Sequence, residues 1–214
     1  MGALIASRVY VATTGQQVTQ ATYTFTDHAI GAAKATRYVV VDVHIGSALA
    51  TNRPISGVTI GGNAATIHRQ DNSPVSLNTR SGIVGLAVAA GTTATIVVSV
   101  SGGTALSCAI SVYALYDLSS TTPFAVNGSG TQAGTSVSTT LDIPSRGIAV
   151  ASITNRSEGS DVTVSGLTED VDVANGTDAR VTDASLERMS VETARAISAS
   201  GASTAWAMSV ASWA

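Results

Sequence analysis

Between Thr92 and Leu118 the chain reads TTATIVVSVSGGTALSCAISVYALYDL, with Ile96, Val98 and Val100 alternating with Thr95, Val97 and Ser99. A period near two, carried by β-branched residues, suits a half-buried pleated surface, so this stretch predicts two strands joined by a Ser-Gly-Gly turn. The same reading places strands at Arg8–Thr14 and at Thr22–Asp27, the latter with Phe25 facing inward. Arg37–Ile45 (RYVVVDVHI) is a near-continuous valine run, which predicts a strand covered on both faces. In ISGVTIGGNAATIHRQ the Gly61-Gly62 pair separates two β-rich segments, a two-residue hairpin signal in which glycine supplies positive φ. After the polar loop DNSPVSLNTRS, strands are expected near Gly82–Ala89, Thr92–Ser101 and Ala105–Tyr116. Helical alternatives are confined to AAKATR and DASLERMSVETARAI, and the second fits better as strand.

The pattern recurs. TARAISASGASTAWAMSVASWA sets Ser200-Gly201 against Ser101-Gly102, and Met208 to Val210 against Ile110 to Val112. Arg146–Val150 answers Arg37–Val41, and Val162–Val164 answers Val58–Ile60, all in the same order. The chain therefore divides into an N-terminal arm or first strand at 1–19, a first repeat at 20–118, a Ser/Thr/Pro/Gly-rich connector at 119–136 and a second repeat at 137–214. Many strands at regular spacing, Gly-rich turns and no credible long helix predict an all-β, jelly-roll-like antiparallel sandwich with an internal pseudo-repeat, the two repeats forming either two small sandwiches or one compact body, with the single body preferred. The C-terminal strand, with Trp206, Met208 and Val210 on one face and Trp213 on the other, is integral to it.

Composition narrows the functional classes. Charged residues make up 12% of the 214, against about 25% in ordinary domains, and Lys34 is the sole lysine. Ser, Thr, Ala and Gly fill the places where charge normally sits. Such a surface has few long side chains whose ordering costs entropy, which favours lasting protein contact or exposure outside cells. Residues 1–118 carry six basic and four acidic side chains, and 119–214 carry five and ten, which divides the net −3 into +2 and −5. No basic stripe tracks a phosphate backbone, so nucleic acid is not an expected partner. No apolar run approaches the length of a membrane helix, and a membrane partner is not expected either. MGALIASRVYVATTG lacks a secretory architecture, and Ala6 stands where myristoylation wants Ser or Thr, so synthesis without export is expected. The single cysteine, Cys108, excludes an intrachain disulfide.

Candidate chemistry is thin. Histidines stand at 28, 44 and 68, and Asp42 and His44 lie i, i+2 on one strand face, a spacing that could ligate a metal or set a base beside a carboxylate. With no second cluster, a polar patch on a solvated strand face is the reading adopted, and His44→Ala is expected to cause no loss of particle stability. No G-x-S-x-G elbow or other nucleophile motif accompanies the abundant serines. Cys108 is read as a small core residue. Glu169, Asp170, Asp172 and Asp178 in TEDVDVANGTD lack EF-hand spacing and read as a solvated acidic loop. Asn127, Asn155 and Asn175 in their sequons read as loop asparagines. Trp206 and Trp213 could stack on a sugar if exposed, but read as core. The expectation is a protein with no catalytic residue, no cofactor and no metal site.

The order RYVVVDVHI, ISGVTIGGNAATI, a Gly-rich turn into SCAISVYAL and a weaker copy ending in ASWA resembles β-sandwich accessory virion proteins of tailed phages and gene-transfer-agent-like particles of alphaproteobacteria. The resemblance covers most of residues 20–214. It implies a structural role in the virion: a capsid decoration or cement protein that binds the assembled head shell, with the major capsid protein or other virion proteins as partner. It implies a homo-oligomer, for which a trimer would match three-fold positions on an icosahedral shell. The alternative it implies is a head-spike or tail-fibre adhesin for host surface carbohydrate. In either case the protein would be made in the host cytoplasm and end in the virion.

Overall fold

The computed structural model describes residues 6–47, 52–74, 79–157, 159, 161–177, 179–188 and 190–214. Fifteen strands run in chain order: β1 Ser7–Gln16, β2 Thr22–Ala29, β3 Tyr38–Gly46, β4 Ile55–Ile60, β5 Asn63–Ala64, β6 Thr66–Asn72, β7 Thr79–Ala87, β8 Thr93–Val100, β9 Ser107–Tyr116, β10 Ala125–Ile143, β11 Ile148–Asn155, β12 Thr163–Ser165, β13 Thr168–Asn175, β14 Ala179–Glu187 and β15 Glu192–Trp213. No helix occurs among the described residues. The protein is an all-β antiparallel sandwich.

The first repeat pairs a sheet of order β1-β9-β3-β7-β6 with a sheet of order β2-β8-β4-β5. That is the jelly-roll order, two interleaved Greek keys. The second repeat reproduces it with longer strands. In β10, Ala125–Thr131 pair with Trp206–Ser212 and Ser136–Leu141 pair with Arg195–Ser200, so β10 and β15 both bend from one layer into the other. β15, β11, β14 and β13 complete the first layer, and β12 adds to the second. The stretch 119–136, whose composition suggested a connector, thus contains the first half of β10. Its Ser/Gly content suits a strand laid closely against another backbone.

The Gly61-Gly62 turn joins β4 to β5 with φ of 59° and 81°, as its sequence required. Phe25 is buried, and so is every residue of β3. Ser101-Gly102-Gly103 does not close a hairpin: it carries the chain from β8 in one sheet to β9 in the other. One register inferred from sequence shifts by a residue. Tyr38 pairs with Leu115 and Ile148 with Trp213, so Tyr38 matches Ile148, where the sequence had aligned Val39. A one-residue slip exchanges the two faces of a strand, and both faces of β3 are apolar enough to hide it.

Each repeat has its own core. Val39, Val41, Val43, Phe25, Ile96, Val98 and Ile110 fill the first. Ala151, Ile153, Leu141, Ile197, Trp206, Met208 and Val210 fill the second. A third cluster lies between them, where Tyr38, Val40, Ile83, Tyr113 and Leu115 meet Ile148, Val150, Ala211 and Trp213. The repeats therefore stack sheet on sheet. β1 lies over β13, β3 over β11, and β6 over β10 and β15, the arrangement of a pseudo-twofold pair fused in one chain.

Candidate functional site

The chemically versatile side chains of this protein converge on the seam between the two jelly rolls. Strand alternation explains how. On β3 the residues Val39, Val41 and Val43 point into the first core, so Tyr38, Val40, Asp42 and His44 must point the other way, onto the second repeat. On β11 and β15 the same alternation turns Ser152, Thr154 and Ser209 toward the first repeat, because Ile153 and Met208 face the second core.

Asp42, His44, Ser111, Ser152, Thr154, Asp183 and Ser209 are all fully buried. His44 Nδ1 lies 2.9 Å from the Thr154 hydroxyl, which in turn donates to the Arg80 carbonyl at 3.0 Å. His44 Nε2 lies 3.0 Å from Asp183 Oδ1. The Ser111 hydroxyl donates to the other Asp183 oxygen and is linked through Thr13 Oγ1, 2.6 Å away, to the Tyr10 hydroxyl. Neither Asp42 oxygen has a hydrogen-bond partner, and the Asp42 pKa stands well above the ordinary carboxylate value. Burial is the main cause and the nearby Asp183 charge the next. Asp42 is therefore held in its neutral, protonated form at neutral pH. By the strand pairing its counterpart in the second repeat is Ser152, so the acid sits at the pseudo-twofold centre.

Two satellite clusters flank this centre. On one side the Ser209 hydroxyl donates to Asp71 at 2.9 Å and lies 3.0 Å from the Ser81 hydroxyl, while Arg69 clasps Asp71. On the other, Asp170 accepts from the Tyr113 hydroxyl at 2.8 Å and from Ser185, with Arg8 at 3.4 Å. Burial pushes the Tyr113 phenol well up, helped by the Asp183 charge.

Asp42 and His44 thus do not lie on a solvated strand face, as the sequence suggested: a second sheet covers them. The same covering removes catalytic chemistry from this cluster. Ser111, Asp183 and His44 are neighbours, but the serine donates to the carboxylate, the histidine meets the carboxylate's other oxygen, and no substrate reaches groups with no exposed surface. Among the described residues no group of three His, Cys, Asp or Glu could hold a metal ion.

The other candidates are scattered. His68 Nε2 lies 2.7 Å from the Tyr38 hydroxyl, with its ring edge-on to Trp213 at 5.8 Å, and burial lowers its pKa. His28 is buried, with Nδ1 3.0 Å from the Ala29 carbonyl. Trp206 and Trp213 are both fully buried, and their indole N–H groups donate to Gly134 and Thr121 carbonyls, so neither forms a sugar platform. Cys108 is core, its thiol pushed up by burial.

The acidic stretch read as a solvated loop is instead strand β13. Asp170 turns into the seam, Asp172 pairs with Arg180 at 2.7 Å, Glu169 is exposed, and Asp178 lies outside the described residues. Asn127, Asn155 and Asn175, read as loop residues, lie in β10, β11 and β13, the last two buried.

The residues that sequence reasoning missed are Ser111, Asp183, Thr154, Ser209, Asp71 and Tyr113. Their one available signal is serine at alternate positions of strands whose other face is apolar, as in SCAISVY. No family model matches the chain, and no characterised protein does.

Proposed function

We propose that this protein is a non-catalytic structural subunit of a particle, and specifically an accessory virion protein that decorates and braces a phage head shell. The observation that carries the reading is the burial of the His44–Asp183–Ser111 cluster. Groups that could do chemistry are spent on joining two jelly rolls, and what faces outward is mostly short and uncharged. On the outer face of the β2-β8-β4 sheet stand Thr22, Thr24, Thr59, Val97 and Ser99; the matching face of the second repeat carries Ser138, Thr140, Thr163, Ser165 and Ser198. Side chains of this kind lose little entropy on contact with a partner.

A four-layer body with a packed seam suits a subunit that must transmit load across joints in a lattice. Binding only the assembled shell would stabilise it by mass action. The resemblance of the sequence segments RYVVVDVHI, ISGVTIGGNAATI, SCAISVYAL and ASWA to those of virion sandwiches supplies the phage context. The adhesin alternative has lost its aromatic platform to the core and seam. The test is gold-labelled antibody imaging of purified particles. Label spread over the head is expected, label confined to a vertex or tail tip would favour the adhesin, and bare particles would remove both virion readings.

A further inference from the structure

We propose that the seam is a proton-locked joint: the proton on the buried Asp42 carboxyl keeps the two jelly rolls together, and its loss in alkaline solution opens the seam while each jelly roll keeps its own core. The geometry leaves little room for a second charge. Asp42 and Asp183 are both fully buried, Asp183 reaches Ser111 and His44, the residues opposite and two along from Asp42, and neither Asp42 oxygen has a hydrogen-bond donor.

The groups facing Asp42 offer its carboxyl no hydrogen-bond donor. β3 contributes His44, which is engaged with Thr154 and Asp183. β14 contributes Asp183 itself, β13 contributes Asp170, and β9 and β1 contribute the phenols of Tyr113 and Tyr10. β7, β11 and β15 present uncharged Ser81, Ile83, Ser152, Thr154 and Ser209. Asp71, reached through Ser209, adds another carboxylate. The arginines bordering the seam are already committed, Arg8 to Asp170, Arg69 to Asp71 and Arg80 to Gln70 and Asn52. Removing the Asp42 proton to water therefore leaves a charged carboxylate without a donor, beside the Asp183 carboxyl, in a dry interface, a state relieved by letting water in.

The opening path follows from the three separate clusters. Cores one and two are each closed around their own strands, whereas the seam cluster is the layer where water entry separates the repeats without dismantling a sheet. The sign follows from linkage. A group whose pKa is higher in the closed form contributes stability below its ordinary pKa, and that contribution is lost as pH rises toward the raised value. Within that window the opening constant rises about tenfold per pH unit for one proton.

The reporter is Trp213, which sits in the seam, whereas Trp206 sits in the second core. In a Trp206→Phe background, iodide quenching of Trp213 fluorescence is measured from neutral to alkaline pH. Quenching is expected to rise along a one-proton transition that precedes loss of β-sheet circular dichroism, and Asp42→Asn is expected to abolish it while the protein stays folded. Asp42→Ser, which installs the residue found at the equivalent position of the other repeat, is the second variant should Asn not fold. If Trp206→Phe is not tolerated, iodide quenching of the otherwise native chain reads the same opening as a rise in the accessible fraction, because Trp206 stays in the second core. A transition unchanged by Asp42 substitution would assign the effect to Tyr10 and Tyr113 and overturn the proposal. So would a seam that stays closed until the whole chain unfolds.

Discussion

Replacing His44 by alanine gives the sharpest test of what the seam does. On a solvated strand face this substitution would change stability by less than about 0.5 kcal/mol. In the structure the imidazole is fully buried, and it contacts Thr154 Oγ1 at 2.9 Å and Asp183 Oδ1 at 3.0 Å. Alanine removes both contacts and leaves one oxygen of a buried carboxylate without that partner. Leaving a buried polar group without its partner costs about 1–3 kcal/mol, and the cavity left by the ring adds about 2 kcal/mol. Against a total stability of about 5–15 kcal/mol the loss is large. Urea unfolding followed by circular dichroism is the assay. With a slope of about 2 kcal/mol per molar urea, the midpoint is expected to fall by about 2 M. A fall worth less than about 1 kcal/mol would mean that water reaches the site, and the buried seam would have to be abandoned.

Three further outcomes follow. A Cβ at Gly130 would collide with the Asn72 carbonyl across the seam, so Gly130→Ala should cost about 1–3 kcal/mol, whereas Gly57→Ala, with no atom within 4 Å of its Cβ, should cost far less; paired urea titrations compare them. Burial alone would raise the Asp172 pKa, but hydrogen bonds from Arg180, the Val162 N–H and Thr182 outweigh it and hold it below the ordinary value. Its contribution is therefore present above the unfolded pKa and lost as pH falls through the folded one, and Asp172→Asn should flatten the acid limb of stability against pH while lowering stability at neutrality. Cys108 is fully buried with its thiol pKa pushed up by that burial, so iodoacetamide should label it at the rate of global opening, and fast labelling of the folded protein would contradict the packing of the first core.

The architecture was legible in the sequence wherever one face of a strand is polar and the other apolar. Phe25, the Gly61-Gly62 hairpin and the division of Trp206, Met208 and Val210 from Trp213 all follow from period-two alternation. The repeat was legible too, because Val58–Ile60 and Val162–Val164 keep the same parity in both copies. What alternation cannot report is which partner covers a strand's second face. RYVVVDVHI announced that both faces of β3 are covered, yet a face bearing Asp42 and His44 looks the same whether water or another sheet lies over it. The partners that settle the matter, Asp183 and Thr154, lie 139 and 110 residues further along the chain from Asp183's and Thr154's common neighbour His44. Nothing local to His44 points to them. The same blindness turned β13 into a loop, since its acidic residues are depleted in strands generally and are here held by Arg180, Arg8 and Tyr113.

Hydrogen exchange of the intact chain at neutral pH tests the central claim most directly, that the two jelly rolls form one cooperative body joined through the buried polar seam. The slowest amides of β3 and β9 in the first repeat and of β11 and the 206–213 half of β15 in the second are expected to exchange together, with one opening free energy. Two separate classes, with one repeat exchanging fully while the other stays protected, would contradict it.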